Sequence, residues 1–270
     1  MHEDNIPMHS ETNNQYSANK ALQDFIAHLP QRFEAEGEVI FSGKRNIIKT
    51  FCIDAADEVL SNVVVKKFRA RNIFQQLAYS TFWASKAKRA YNNGLQLVKM
   101  DEGSTPFPIA FVEDYGCGIL HQCYYITDFT DAPSVREQLE AQPFNRPLAK
   151  AFAHFIARLH KNGLVHHDLN FSNVLYKEET KGDEVHYNIS VIDINRLTSH
   201  DNLTIDDCKD DFVRWTDDMQ LFTFVMEEYA KARLLDIEIF KHQALMMKRQ
   251  HNKDWARRKG FTRRIKGIKF

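Results

Sequence analysis

The sequence predicts an α+β fold of two lobes, a β-rich N-terminal lobe followed by a mainly helical C-terminal one. Three observations carry this. Between Gly37 and Phe68 the short apolar or β-branched runs "EVIFSG", "NIIKTFCI" and "NVVVKKF" are separated by turn-like "GKRN" and "DAADE", the pattern of a small antiparallel meander. From Pro147 to Gly163 the period changes: Phe152, Phe155, Ile156 and Leu159 recur at helical spacing, with proline near the start and glycine just past the end. Between that helix and a later strand lies a polar stretch, "LVHHDLNFSNVLY", at the head of the helical half.

The elements follow in order. Residues 1–20 are polar and are expected to be disordered. "ALQDFIAHL" is a short helix that Pro30 should stop, and the meander comes next. A helical stretch over about 73–100 follows, then "GSTPFPIAFVE", which its two prolines keep extended. "HQCYYITDF" reads as a strand, "KEETKGDEV" as a hairpin turn and "HYNISVIDI" as its return strand, with helices beyond. One domain spans 21–270, its lobes dividing near residues 128 and 129.

Bulk properties narrow the class. Hydrophobic residues make up 43% and charged residues 27% of 270 positions, enough for a substantial core in a soluble protein. The formal net charge is zero, so total charge points to no partner. Cys52, Cys117, Cys123 and Cys208 form no C-x-x-C pair and no zinc spacing, which suits a reduced, cytoplasmic protein. The first residues lack the apolar core of a secretory signal, and no run approaches the ~18 apolar residues of a membrane span.

The polar stretch carries chemistry. His166-His167-Asp168 is followed by Asn173 in the spacing H-x-D-x-x-x-x-N, which phosphoryl-transfer loops use. There the aspartate accepts a hydrogen bond from the attacking hydroxyl, while the asparagine offers an amide oxygen to Mg²⁺. Downstream, "SVIDINR" puts Asp193 at the end of an apolar strand, where such folds place a second metal ligand. Upstream, Lys66 follows three valines as an ATP-anchoring lysine does, and adjacent Lys67 should face the other side of the strand. Together these make Asp168 the catalytic base, Asn173 and Asp193 the metal ligands and Lys66 the phosphate anchor. His166 reads as a support of the loop. His167 stands where many protein kinases have an arginine.

Two features depart from the pattern. The phosphate-covering loop "FSGKRNIIK" has only Gly43, so Lys44 and Arg45 are expected to supply charge in place of glycine backbone amides. No Asp or Glu occurs between Glu58 and Asp101, so the helix there cannot provide the usual glutamate partner of Lys66. Asn92, Asn93, Gln96 or an acid from elsewhere must orient the lysine instead. The interlobe hinge is expected at Tyr124–Phe129, with adenine met by the backbone around Tyr125 and Thr127.

The stretches "VVVKKFR", "YSTFWASKAKRAYNNGLQL", "TPFPIAFVE", "HHDLNFSNVLY" and "IDINR", spread over about residues 40–200, resemble the lipopolysaccharide kinase group, the Kdo and heptose kinases of Gram-negative bacteria, in a Bacteroides-type form. The resemblance implies a protein-kinase-like fold, ATP, Mg²⁺ and phosphorylation of a sugar hydroxyl in the lipid A–core. The chain beyond Asp193 is short and has no A-P-E element, which suits a glycan acceptor better than a peptide. From Lys248 to Phe270 ten Lys and Arg stand against Asp254 alone. Such a segment suits peripheral contact with the anionic inner membrane or with the lipid-anchored glycan. No motif for reading nucleic acid accompanies it. Two alternatives remain open, another small-molecule or protein kinase of this fold and a catalytically silent pseudokinase serving as a binding module.

Overall fold

The computed structural model describes residues 8–53, 62–69, 84–182 and 184–267. The chain divides into two compact units, Met1–Asp131 with Ile192–Arg196, and Ala132–Val191 with Leu197–Phe270. A β-sheet-rich first part and a helical second part give the α+β class expected from the sequence. No described helix is long and apolar enough to cross a membrane.

The first unit is built on an antiparallel sheet of strands β1 (Met8–Thr12), β2 (Glu38–Ser42), β3 (Asn46–Cys52), β4 (Asn62–Arg69), β5 (Pro108–Gly116) and β6 (Ile119–Asp128), in the spatial order β1-β5-β6-β4-β3-β2. Alternation in β4 decides which side chain serves which face. Val63 and Val65 are fully buried among Leu22, Phe25, Leu29 and Phe33 of helices α1 (Lys20–Ala27) and α2 (Leu29–Ala35). Lys67, on that same face, reaches Glu34 of α2 at 2.5 Å. Lys66 therefore points to the opposite face. That face receives helix α3 (Lys86–Met100), capped by the Ser85 hydroxyl accepting from Lys88 N–H at 3.0 Å. Tyr91 of α3 meets Phe111 of β5 at 5.4 Å between ring centres.

Two expectations about the N-terminal region change. Within 1–20, Met8–Thr12 is not disordered but pairs along β5, and Asn19 caps α1 by accepting from Leu22 N–H. Polar "MHSET" lies at the sheet edge, with His9 meeting buried Glu113 at 3.0 Å, so it needs little apolar content of its own. Pro30 does not simply end a helix. It sits in the first turn of α2, where its missing N–H costs nothing. The expected turn at 54–58 and the helical residues 73–83, which include part of "TFWASKAKRAY", lie outside the described residues.

The second unit centres on α5 (Arg146–Lys161), preceded by α4 (Arg136–Glu140). Asn145 caps α5 by accepting from Leu148 N–H at 3.0 Å, and the apolar stripe read from the sequence is fully buried. Gly163, at φ +73°, ends it because any side chain there would collide with the His200 carbonyl. Strand β7 (Leu164–Val165), the catalytic-loop segment, and the hairpin of β8 (Val174–Lys181) and β9 (Glu184–Val191) follow. Strand β10 (Thr198–Ser199) pairs with β7, and α6 (Lys209–Val213), α7 (Met219–Ala232) and α8 (Ile237–Gly267) complete the unit.

Gly94 of α3 is required by packing. A Cβ there would stand 2.7 Å from the Tyr125 hydroxyl oxygen and 3.1 Å from Pro108 Cβ. The Tyr125 hydroxyl is buried and has no hydrogen-bond partner among the described residues, and burial pushes its pKa well up. Gly94→Leu should cost about 1–3 kcal/mol through overpacking. Tyr125→Phe, which removes an unsatisfied hydroxyl, should leave stability unchanged or raise it by about 1 kcal/mol. Urea denaturation of both variants checks this, and a marked loss in Tyr125→Phe would contradict it.

Candidate active site

The first unit brings together two of the predicted residues. Lys66 Nζ lies 2.6 Å from Asp193 Oδ1, an ion pair across 127 positions of sequence. Asp193 adopts φ +61°, the left-handed conformation that an aspartate tolerates better than most side chains. Asn195 Nδ2 donates to the same Oδ1 at 2.7 Å. Of the partners expected for Lys66 (Asn92, Asn93, Gln96 or an acid from elsewhere), the structure shows the acid from elsewhere. Asn93 Nδ2 instead donates to the Ile194 carbonyl at 2.8 Å, fastening the turn after Asp193 to α3, and Asp193 itself partners the lysine.

The other cofactor candidates are placed as follows. Gly43, Lys44 and Arg45 form the turn between β2 and β3, closed by Gly43 N–H donating to the Asn46 carbonyl at 2.9 Å, with both basic side chains exposed. Tyr125 pairs with Lys66 of β4 and Phe111 of β5, and Thr127 with Val64 and Pro108. Both are thus inside the sheet. The register with β4 continues to Asp128, and the first unit runs to Asp131. Thr127 shares its face with Lys66, since 125 and 127 alternate in step with 64 and 66.

The second unit holds the catalytic loop. Asn170 caps the 3₁₀ turn Phe171–Asn173, accepting from Ser172 N–H at 3.1 Å, while its Nδ2 donates to Asp168 Oδ1 at 3.2 Å. Asn173 Nδ2 donates to the Asp168 carbonyl at 2.9 Å, so the amide nitrogen is committed to the loop backbone. Asn170 and Ser172, to which the sequence gave no role, therefore hold the aspartate and its turn. His166 is fully buried and its Nδ1 meets Asp168 N–H at 3.3 Å, the supporting role expected of it. His167 sits at φ +66°, with Nε2 2.8 Å from the Thr198 hydroxyl.

Sequence reasoning missed Asp211. Its side chain is fully buried, and its carboxylate accepts from His166 N–H at 2.7 Å and His167 N–H at 2.6 Å. His160 Nε2 lies 3.2 Å away, and the other ring nitrogen of His160 meets the Tyr229 hydroxyl at 3.0 Å. Asp211 is thus the tether that fixes the loop preceding Asp168. In the sequence, Asp211 is one acid among several in an acidic stretch. Only its setting among Cys208, Phe212 and Val213, all buried, hinted at an inward side chain.

Burial opposes the charge on Asp211, but the hydrogen bond and charge of His160 and the His166 N–H together hold its carboxyl below the usual range. Burial also lowers His160, and the Asp211 carboxylate only partly offsets this. A neutral His160, donating through Nε2 to Asp211 and accepting from Tyr229, satisfies both. Because the folded state holds His160 below its ordinary value of 6.5, its contribution is complete above that pH and is lost as pH falls through the depressed value. Stability should therefore fall from neutral pH toward about pH 5, and His160→Gln should flatten that slope. Urea denaturation at several pH values measures it, and equal slopes would contradict this role. Asp211→Ala, which strands two buried N–H donors, should cost about 2–5 kcal/mol in the same assay.

The first unit thus carries an ammonium group beside a carboxylate, and the second a carboxylate beside a side-chain amide, group types that phosphoryl transfer uses. Residues 117–214 match the model of the lipopolysaccharide kinase (Kdo/WaaP) family. No curated protein matches the sequence. Among solved structures, the chain is similar to WaaP in complex with acyl carrier protein, at 14% identity and TM-score 0.58, over 92% of this chain and 99% of that one. A Rio2 kinase from Chaetomium thermophilum, in an ADP/Mg²⁺-phosphoaspartate complex, aligns at 16% identity and TM-score 0.47 over 90% of this chain and 82% of that one. The family resemblance read from the sequence is thus met by a family-model match over residues 117–214, the segment holding Asp168, Asn173, Asp193 and Asp211, and the fold is kinase-like.

Proposed function

We propose that the protein is a cytoplasmic, ATP- and Mg²⁺-dependent kinase that phosphorylates a sugar hydroxyl of the lipopolysaccharide lipid A–core, with Kdo preferred to heptose as acceptor. The observation that carries this reading is the Lys66–Asp193 pair, which joins the expected phosphate anchor to the expected metal ligand at 2.6 Å. The family match supports the acceptor class.

The residues fit the group they would hold. Bound MgATP supplies the phosphoryl group and the divalent charge that its oxygens need. Asp193 and Asn173 offer the oxygen ligands that Mg²⁺ prefers, the latter with its amide nitrogen committed to the Asp168 carbonyl. Lys66 presents a positive charge to phosphate oxygens. Asp168, steadied by Asn170, accepts the hydrogen bond of the acceptor hydroxyl and takes its proton as the oxygen attacks. Lys44 and Arg45, exposed in the turn that the Gly43–Asn46 hydrogen bond closes, would add two positive charges toward the phosphates.

Asp168→Asn should lower kcat about 10²–10⁴-fold with MgATP affinity retained. Asp193→Asn should weaken MgATP binding as well. Transfer of labelled phosphate to Kdo-containing lipid A acceptors and calorimetric titration with MgATP measure the two effects. MgATP binding without transfer to any lipid A–core acceptor would overturn the acceptor. Transfer to another small molecule or a protein would then identify a different kinase of this fold, and no transfer at all a silent binding module.

A further inference from the structure

Helix α8 is packed along its first half, and Asn252, Lys253 and Trp255 to Arg258 beyond it are exposed. Phe240 stacks on Tyr229 at 5.1 Å between ring centres, and Ala244 is buried behind it. Lys248, one helical step further on the same stripe, is only 2% exposed. Its ammonium is spent on the Val213 carbonyl at 2.8 Å and on Asp217 at 3.1 Å. Lys248 is therefore a structural lysine and not part of the basic surface that the sequence assigns to this segment. His251 follows half-buried, and then the body of the unit ends. Trp255, which continues the stripe of Phe240, Ala244 and Lys248 at helical spacing, is 57% exposed. From Trp255 to Gly267 the helix runs on for about 18 Å.

The charge on this part is mostly positive. Lys253, Arg257 and Arg258 are exposed. Asp254, the one acid after Asp236 and Glu238, is engaged by Gln250 at 3.0 Å and lies 3.9 Å from Arg257. Residues 259–270 add Lys259, Arg263, Arg264, Lys266 and Lys269, and no acid. Cations at a helix C-terminus complement the helix dipole, but that effect fades within the last turn and does not account for Lys253 to Arg258. An exposed indole among cations on a projecting helix fits the boundary between water and an anionic bilayer. There Trp prefers the headgroup level, and each basic side chain gains from the negative surface potential.

We propose that the C-terminal half of α8 is the membrane-docking element of this protein, seating on an anionic phospholipid surface with Trp255 at the headgroups and Lys253, Arg257 and Arg258 around it. This goes beyond the kinase reading and is tested by binding alone, so either can fail without the other. The probe is co-sedimentation of the full chain with phosphatidylcholine vesicles, with and without about one-third phosphatidylglycerol. The full chain should bind only the anionic vesicles and release them as salt rises. Lys253→Gln/Arg257→Gln/Arg258→Gln should weaken partitioning about a hundredfold. Its unfolding midpoint and MgATP affinity should stay unchanged, because all three side chains are exposed. Tryptophan emission should shift blue on anionic vesicles and should stop doing so in Trp255→Phe. Equal binding to neutral vesicles, undiminished binding by the triple variant, or tighter binding to duplex DNA than to anionic vesicles at the same salt would each overturn the proposal.

Discussion

The ion pair between Lys66 and Asp193 is the constraint from which the nucleotide side of the site follows. Alternation along β4 sends Lys67 to Glu34 and leaves Lys66 on the face of α3, where its side chain is 14% exposed. A lysine drawn that far from water needs a counter-charge. The helix that packs there has none, because no acid occurs between Glu58 and Asp101. Asp193 supplies it, held in a left-handed backbone and tied to α3 through Asn93 and the Ile194 carbonyl. One carboxylate is therefore both the partner of the phosphate anchor and the expected metal ligand.

The catalytic loop solves a different problem. Its backbone turns sharply at His167, and the strain of that left-handed residue has to be held by its surroundings. Asp211 does this from α6, accepting the N–H groups on either side of the His166–His167 peptide, with neutral His160 behind it. Asp168 is thereby held by three residues: Asn170 from within the loop, His166 through its ring nitrogen and Asp211, from 43 positions later in the chain, through the backbone before it.

What could be read from the sequence followed local rules. The period of two in "NVVVKKF" put Lys66 and Lys67 on opposite faces, and the helical period and end signals marked Arg146–Lys161. What could not be read depended on partners far along the chain. Polar Met8–Thr12 became a strand because β5 offered an edge. Asn93 could be recognised as a polar residue on the right helix, but not as a ligand of the Ile194 carbonyl. Asp211 had no motif, since its role is defined by two N–H groups 45 and 44 positions earlier.

A double-mutant cycle on Lys66→Met and Asp193→Asn tests the central claim most directly, read as the free energy of urea unfolding without nucleotide. If Asp193 is the partner that replaces a helix glutamate, the two substitutions should be non-additive, with a coupling of about 1 kcal/mol or more. Additivity within about 0.3–0.5 kcal/mol would contradict it, and would mean that the anchoring lysine is held by something other than the metal aspartate.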